Sequence, residues 1–344
     1  MAKSISISSG SLLIGNPIAV SVVSETVGSL ATFHRVKLIV SAALSTDGQR
    51  QTFELSAPAA DSESVVFDIS TALRSATAGY RYTPVTADTT YPYIAYSLTA
   101  YDEYMLNGIL TEKEGERQYN NGADSYALFG AFTDMERYLA GDTKAVTTFT
   151  RKPSTGEVCA PGEVLIYPGV PSAPLEQYTK IREGPKVFVQ SLAGLEGKKT
   201  YGGRTIYVDP EATDRMLFQF VNGYGVVETI SAETMEDVHS TGATEVDIRT
   251  APSAFGSPAG KSVRRSNRQL VYHCSTGYVN KEWAQWWLDE FLGGDNFRRN
   301  AHSRCWVRID GHWLPCVIIP EDDITVYERS KSGLISIPFE VRIF

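Results

Sequence analysis

Short runs of alternating apolar and polar residues, separated by clusters of Gly, Pro, Asp and Ser, fill the first half of the chain. Two-residue alternation with β-branched and aromatic residues is typical of strands that bury one face. The pattern predicts strands at Ile5–Ser8, Ile18–Val23, Phe33–Leu44, Gln51–Leu55, Val65–Ile69 and Tyr93–Tyr104. Several short strands with few helices favour a β-sandwich.

Turn and capping residues lie between these strands. Ser45-Thr46-Asp47-Gly48 is typical of a hairpin turn that joins the third strand to the fourth, because Asp and Gly tolerate positive φ angles. Asp68 and Ser70 predict a helical turn capped by a short polar side chain. A second helical turn is predicted at Thr133–Leu139, whose first residue has capping-box spacing with Glu136.

Prolines and glycines dominate the middle of the chain, from Lys152 to Pro174. Proline cannot donate a hydrogen bond to a β-ladder, so this stretch can form an edge strand at best, and its composition is typical of a connection between domains. We therefore place a boundary near residue 178. The prediction is an N-terminal β-sandwich domain at 1–178, ending in a connector at 152–178, and a C-terminal β domain at 179–344.

The second half of the chain returns to the strand pattern. Predicted strands lie at Lys186–Leu192, Thr205–Val208, Met216–Asn222, Val226–Ile230, Thr244–Arg249, Arg268–Cys274, Arg304–Ile309, Trp313–Pro320, Thr325–Tyr327 and Leu334–Phe344. Asp310-Gly311, between two alternating segments, predicts a tight hairpin with a well-fixed register. The fold class is mainly β, with two β-sandwich or β-barrel-like domains.

One amphipathic helix is predicted at Lys281–Leu292, with Asn280 as its N-cap and Gly293-Gly294 as its stop. The aromatic residues that recur on one helical face are Trp283, Trp286, Trp287 and Phe291. We expect these rings to cover the second sheet. A stacking platform for the rings of a ligand is the alternative.

Composition narrows the classes of function. A length of 344 residues suits about two domains, and a hydrophobic content of 42% is sufficient for a folded chain. A net charge of -8 opposes nucleic acid as the main partner. The sequence has no apolar run of roughly 18 residues, so we expect no membrane insertion, and synthesis and assembly in the cytoplasm.

The chain lacks the spaced motifs of common catalytic sites. It has no G-x-S-x-G elbow, no G-x-x-x-x-G-K phosphate loop, no H-E-x-x-H helix and no paired C-x-x-C. We therefore expect no enzymatic activity, no catalytic, cofactor-binding or metal-binding residues, and no cofactor. Paired carboxylates for glycoside cleavage stay open, because only their separation in space would identify them.

Two groups of residues offer metal ligands. Thiols and imidazoles that suit zinc gather at His273, Cys274, His302, Cys305, His312 and Cys316. Their spacing lacks a C-x-x-C knuckle, and alternation buries the thiols among apolar neighbours, so reduced, buried cysteines are the favoured interpretation. Glu321-Asp322-Asp323 offers oxygen ligands for calcium without the spacing of a calcium loop, which favours a solvated turn.

Two further groups suit surfaces. Basic residues at Arg264-Arg265, Arg268, Arg298-Arg299, Arg304 and Arg308 favour a solvated face or salt bridges between subunits. The rings of Tyr91, Tyr93, Tyr96, Tyr101 and Tyr104 suit strand packing, with sugar stacking or an interface as the alternative.

Residues 217–230, Leu-Phe-Gln-Phe-Val-Asn-Gly-Tyr-Gly-Val-Val-Glu-Thr-Ile, resemble the F-x-N-x-x-G-x-x-E strand-turn-strand segment of structural tail proteins of bacteriophages that infect Bacteroidetes-type hosts. Phe67–Leu73, the Arg151-Lys152-Pro153 turn and the ending from Trp313 to Phe344 are similar to other parts of those proteins. The resemblance implies a distal tail, hub or baseplate protein of the virion. Such a protein forms rings with copies of itself, contacts other virion proteins and has no known active site to carry over.

Two other classes of function stay open. A carbohydrate-binding or adhesin module would use exposed aromatic rings, and solvent exposure of Trp283, Trp286 or Trp287 in a groove would favour it. A tail-associated glycan hydrolase would need two carboxylates that face one cleft at catalytic separation.

Overall fold

A computed structural model of the chain describes residues 5–7, 13–28, 32–112, 117–133, 136, 148–170, 182–248, 261–292, 305–320 and 333–343. Strands dominate these residues, and helices are few and short. The prediction of a mainly β fold is confirmed.

In the described part of the N-terminal half, antiparallel strands are accompanied by one short α-helix and a 3-10 turn at Tyr119–Gly122. In chain order these are β1 (Ile5–Ile7), β2 (Ala19–Val23), β3 (Phe33–Leu44), β4 (Gln51–Pro58), β5 (Ser64–Asp68), α1 (Ser70–Ala76), β6 (Thr89–Thr90), β7 (Ile94–Leu106), β8 (Ile109–Glu112), β9 (Arg117–Gln118) and β10 (Ser125–Ala127). One sheet has the order β1-β2-β5 and another the order β10-β7-β3-β4, with β8 and β9 also paired to β7. Alternate residues of the two sheets, such as Val20 and Leu38, share one buried core, which gives this half a sandwich-like character.

Two small sheets follow, built from the proline-rich segment and the strands after it. Their strands are β11 (Glu157–Cys159), β12 (Val164–Pro168), β13 (Lys186–Ser191), β14 (Gly197–Tyr201) and β15 (Arg204–Val208). The sheet orders are β12-β13-β6 and β11-β15-β14, so β12 is an edge strand, in line with the proline at its end, Pro168. The boundary near residue 178 lies outside the described residues and stays a prediction, although β13 pairs with strands that precede it.

A closed antiparallel barrel forms the C-terminal half. Its strands are β16 (Arg215–Val221), β17 (Val227–Ile248), β18 (Lys261–Ser275), β19 (Cys305–Ile309), β20 (His312–Pro320) and β21 (Pro338–Ile343). They close in the order β16-β17-β18-β21-β20-β19. Asp310 and Gly311 both adopt positive φ, at 50° and 82°, and Ile309 pairs with His312. The tight hairpin predicted at Asp310-Gly311 is confirmed.

The predicted helix packs its apolar side chains into the core cluster of this barrel. It consists of α2 (Lys281–Trp286) and a π-helical continuation, Trp287–Leu292, and the Asn280 side chain accepts the N–H of Trp283 at 3.0 Å. Trp283, Trp286 and Trp287 are only 3%, 4% and 2% exposed. Their rings pack with Phe218, Phe220, Phe291 and Phe339. The helix therefore covers the sheet as expected, and the alternative of a Trp stacking platform is wrong.

Several predicted local features differ from the structure. The strands predicted at Val226–Ile230 and Thr244–Arg249 fall, in their described part 227–248, on one long strand, β17, and the last strand starts at Pro338 rather than Leu334. Helix α1 has Ile69 at its N-cap without a side-chain cap, because Asp68 instead accepts the N–H of Ile18 and Ser70.

The capping box at the second predicted helical turn is confirmed by reciprocal bonds of 2.9 and 3.1 Å between Thr133 and Glu136. Most of that turn, 133–139, and the strand at Thr325–Tyr327 lie outside the described residues. Within the described ranges, no helix combines the length and the apolar character that crossing a membrane requires.

Candidate functional site

The F-x-N-x-x-G-x-x-E segment forms the turn between β16 and β17, and it is held by Asn222. This side chain accepts the N–H of Tyr224 at 3.0 Å and of Val226 at 3.2 Å, and it donates to the carbonyl of Phe149 at 2.8 Å. Asn222 has no solvent-exposed surface. A buried amide with both ends bonded fixes one conformation of the turn, because any other would leave polar atoms unpaired.

The same turn connects the barrel to the N-terminal half through direct contacts. Gly225 has φ +73°, and a Cβ at this position would lie 2.5 Å from the Cβ of Phe129. The Tyr82 hydroxyl donates to the Gly225 carbonyl at 2.8 Å, and the N–H of Ala131 donates to the Gly223 carbonyl at 2.8 Å. The motif is therefore a structural joint, and its glycine is needed for both backbone conformation and space.

Arg151 lies at the centre of this joint. Its guanidinium donates to Glu136 at 2.7 and 3.0 Å, to the Ala131 carbonyl at 2.6 Å and to Glu290 of the helix. It also stacks 4.3 Å from the Tyr224 ring centroid. Burial alone would lower the pKa of Arg151, but the combined effects of Glu290, Tyr224 and Glu136 outweigh burial and raise it. The cation is thus fixed between three segments of the chain.

A second ion cluster lies beside the first. Glu157 accepts from Lys152 at 2.8 Å and from Arg204 at 2.6 Å. Burial would raise the pKa of Glu157, yet the two cations lower it below its ordinary value. The Lys152 ammonium is fully buried and lies 5.4 Å from the Trp286 ring centroid. This cluster fixes the start of the proline-rich segment against the barrel.

Two other buried carboxyl groups have raised pKa values, in contrast to Glu157. Glu228, the last residue of the motif, accepts from Thr150 at 2.8 Å and from Asn222 at 3.1 Å, and burial raises its pKa. Burial also raises the pKa of Glu163 to about 7, although the nearby charge of Arg215 acts in the opposite direction. The Glu163 Oε1 atom is buried without a hydrogen-bond partner. Both groups are protonated more easily than an ordinary glutamate.

The two ion clusters around Arg151 and Glu157 together form a junction between the halves of the molecule, and its geometry is suited to holding them together. Arg151, Lys152 and Arg204 are each paired with a carboxylate, and their side chains are between 0% and 12% exposed. Acid–base chemistry requires a group that can reach a substrate, and these groups are instead directed at one another. No short sequence motif identifies this cluster, because its members are far apart along the chain.

The residues considered for zinc do not converge. Cys274 and Cys316 are buried in the barrel core, and the Cys274 thiol lies 4.0 Å from the Met216 sulfur. Cys305 and Cys316 are directly opposite in the ladder, and a hydrogen bond between them raises the pKa of Cys316. The described residues contain no group of three or more His, Cys, Asp or Glu suited to a metal ion. His302 lies outside the described residues.

The other sequence candidates are dispersed. Glu321-Asp322-Asp323, Arg298-Arg299 and Arg304 lie outside the described residues. Arg264-Arg265 and Arg268 lie on β18. Tyr91 and Tyr96 are buried in the N-terminal core, which supports strand packing for these two rings.

An open cleft of about 670 Å³ lies at one side of the barrel. Its walls carry the carboxylates of Asp209, Glu211, Asp214 and Glu233. Arg215 donates to the Ser231 hydroxyl at 3.0 Å on the same wall. Tyr278 lines the cleft and is 77% exposed. Sequence reasoning missed this cleft, because strands and loops that are distant along the chain line it together.

Comparison with known proteins gives no family: no protein-family model matches the chain, and no curated protein matches it.

Proposed function

We propose that the chain is a non-catalytic structural component of a bacteriophage virion. Its place is in the tail, as a distal tail, hub or baseplate protein that assembles into rings and contacts other virion proteins. The resemblance of residues 217–230 to tail proteins supports this assignment. The structure of the same segment is consistent with it, since every side chain of the motif serves packing or the joint.

A two-stranded arm carries the proposal of assembly. The β16–β17 ladder ends at Glu233 and the β18–β21 ladder at Leu270, but β17 and β18 continue to pair as far as Ile248 and Lys261. The arm, residues 240–248 and 261–269, therefore extends beyond the barrel by about 30 Å at ~3.4 Å per residue. Among the described residues, no further strand pairs with the outer edges of this arm, and an isolated two-stranded ribbon is marginally stable. A partner that pairs with these edges would stabilise it.

The test is the mass of the purified protein by light scattering, with electron microscopy of the same sample. We expect a closed oligomer with a fixed number of subunits, seen as rings. A monomer at every concentration measured would overturn the proposal.

Carbohydrate binding is a second candidate, favoured by the exposed Tyr278 ring in the cleft. Flat aromatic rings with accessible faces suit sugar stacking. If the cleft binds glycans, Tyr278→Ala will abolish binding on a glycan array, whereas Tyr207→Ala, which removes a half-exposed ring outside the cleft, will not. Absence of binding by the unmodified protein would reject this candidate and leave the structural function unaffected.

A further inference from the structure

Two of the four cysteines face each other across the β19–β20 hairpin. Cys305 and Cys316 are register partners in this antiparallel ladder, and residues directly opposite in such a ladder point to the same face of the sheet. The two thiols are also hydrogen-bonded to each other, which is the main cause of the raised pKa of Cys316. Their sulfur atoms are therefore neighbours while both thiols are free.

The backbone spacing at this pair suits a disulfide. Antiparallel ladders alternate between hydrogen-bonded and non-hydrogen-bonded pairs. The adjacent pair in the ladder is Trp306 with Pro315, and because proline has no N–H, this pair fits the non-hydrogen-bonded kind. Cys305 and Cys316 then form a hydrogen-bonded pair, with Cα atoms about 5.5 Å apart. That separation lies within the range found in disulfides, roughly 4.4–6.8 Å.

Neighbouring strands hold both cysteines in place. Cys305 pairs with Phe220 of β16, and Cys316 pairs with Ile343 of β21. Each cysteine thus has a ladder partner on both sides within the closed barrel. A bond between them would join strands that are already fixed in register, with no backbone movement needed first.

The other two cysteines have different surroundings. Cys159 lies opposite Val208 in a small sheet, and Cys274 lies on β18. Neither is opposite another cysteine in a ladder. Cys274 is close enough to contribute to the raised pKa of Cys316, so a bond between these two is the competing outcome. Register favours Cys305 as the partner.

We propose that Cys305 and Cys316 are a redox-sensitive modification site, which oxidation converts into a cross-strand disulfide that stabilises the barrel. The site goes beyond the proposed function, because it does not depend on ring assembly. In a reducing cytoplasm both thiols stay free, and in oxidising surroundings outside the cell the bond forms.

Exchange with a small-molecule disulfide supplies the oxidation. Cys305 is the less buried of the pair, so its thiolate attacks one sulfur of that disulfide, forms a mixed disulfide and releases one small thiol. Cys316 then attacks the Cys305 sulfur, breaks the mixed bond and releases the second small thiol. The protons of the two protein thiols pass through solvent to the two departing thiols. The protein pair loses two electrons, and the small disulfide gains them.

The bond would fix a strand that contacts both halves of the molecule. On β19, Trp306 packs in the N-terminal core, whereas Val307 packs in the barrel core. A disulfide stabilises a fold mainly by restricting the unfolded chain. We expect the unfolding equilibrium constant of the oxidised protein to be at least about tenfold lower than that of the reduced protein.

The test uses the full-length protein equilibrated with glutathione disulfide, and with dithiothreitol as the reduced reference. Both samples are unfolded in an alkylating reagent and digested, and cleavage after Arg308 separates the two cysteines. Mass spectrometry of the oxidised sample should show linked peptides that contain Cys305 and Cys316, with Cys159 and Cys274 alkylated. Urea unfolding of the two samples measures the change in stability.

Two variants sharpen the test. Cys316→Ala should abolish both the linked peptides and the difference in urea unfolding. The matched control Cys274→Ala, which removes another buried thiol of the barrel, should keep both. If either variant fails to fold, the peptide map of the unmodified protein still decides.

Several outcomes would overturn the proposal. These are a bond between Cys274 and Cys316, glutathione attached to Cys305 alone, four alkylated cysteines after oxidation, or equal urea unfolding of the oxidised and reduced samples. Each of them leaves ring assembly unaffected, because light scattering measures that separately.

Discussion

At the scale of single residues, the buried charges of the junction decide which substitutions the protein tolerates. Arg151 contacts Glu136 and Glu290 where little water reaches. A buried pair adds little net stability compared with apolar residues of the same size, but removal of one partner leaves an uncompensated charge. The junction is therefore a site of high sensitivity and modest net stabilisation.

We expect Arg151→Ala to lower the free energy of unfolding by about 3–5 kcal/mol, since two carboxylates would lose their cation. Arg50→Ala is the matched control, because Arg50 pairs with Asp124 at a position that is 38% exposed. That change should cost about 1 kcal/mol or less. Urea unfolding followed by circular dichroism measures both, and equal costs would contradict a buried role for Arg151.

Glu163 should make stability depend on pH. Its pKa is about 7 in the folded protein against an ordinary 4.5, so the folded state holds the proton more tightly than the unfolded state. Stability from this group is present at low pH and is lost as the pH rises from about 4.5 to about 7. The loss is on the order of 3 kcal/mol above pH 7.

Glu163→Gln removes this dependence. The variant should be more stable than the unmodified protein at pH 8, and the difference should shrink as the pH falls to 5. Urea unfolding at several pH values measures it, with exposed Glu196→Gln as the control. A difference between variant and unmodified protein that is constant from pH 5 to 8 would show that Glu163 titrates normally.

At the scale of elements, the sequence predicts strands whose own residues carry the pattern, and it misses strands that form only through their partners. Phe33–Leu44 alternates cleanly and was predicted with the bounds it has, and the Asp310-Gly311 turn fixed its own hairpin. β14 was missed, because Gly197-Lys198-Lys199 has little apolar character and forms a strand only through its partner β15. β17 was predicted as two pieces, since Gly and polar residues interrupt its alternation.

The ion pairs of the junction could not be predicted from the sequence either, because only the fold brings their partners together. Arg151 and Glu290 belong to segments that are distant along the chain, and no local spacing relates them. The motif at residues 217–230 could be singled out from the sequence, but the role of Asn222 and Gly225 in seating the barrel requires the tertiary contact with Phe149 and Phe129.

The close packing around Gly225 predicts that alanine lowers stability more at this glycine than at Gly311. Gly225 and Gly311 both adopt positive φ, at 73° and 82°, so alanine should cost about 1–2 kcal/mol of conformational strain at either. A Cβ at Gly225 would also meet Phe129 at 2.5 Å, whereas Gly311 has open space. We expect Gly225→Ala to cost about 1–3 kcal/mol more than Gly311→Ala. Similar melting temperatures for the two variants would contradict this.

At the scale of the whole molecule, the two halves share a core. The cluster built by the N-terminal sheets also contains Val221, Tyr224, Val226 and Val227 of the barrel turn, and Trp306 of β19. The Tyr91 hydroxyl accepts the N–H of Val227 at 3.2 Å. Separation of the halves would expose these apolar residues and unpair buried polar groups.

We therefore expect the full chain to unfold in a single calorimetric transition, with equal calorimetric and van't Hoff enthalpies. Arg151→Ala, which weakens the junction, should broaden or split that transition. Two well-separated transitions in the unmodified protein would instead favour independent domains that meet near residue 178.

The shared core also sets the order of events during translation. The ribosome delivers the N-terminal sheets well before residues 221–227 that complete their core. Until the barrel turn emerges, the surfaces around Phe129 and Tyr82 have no cover, and nascent chains with exposed apolar surface are prone to aggregate. We therefore expect the first half to need protection from aggregation, for example by chaperones, until the second half is synthesised.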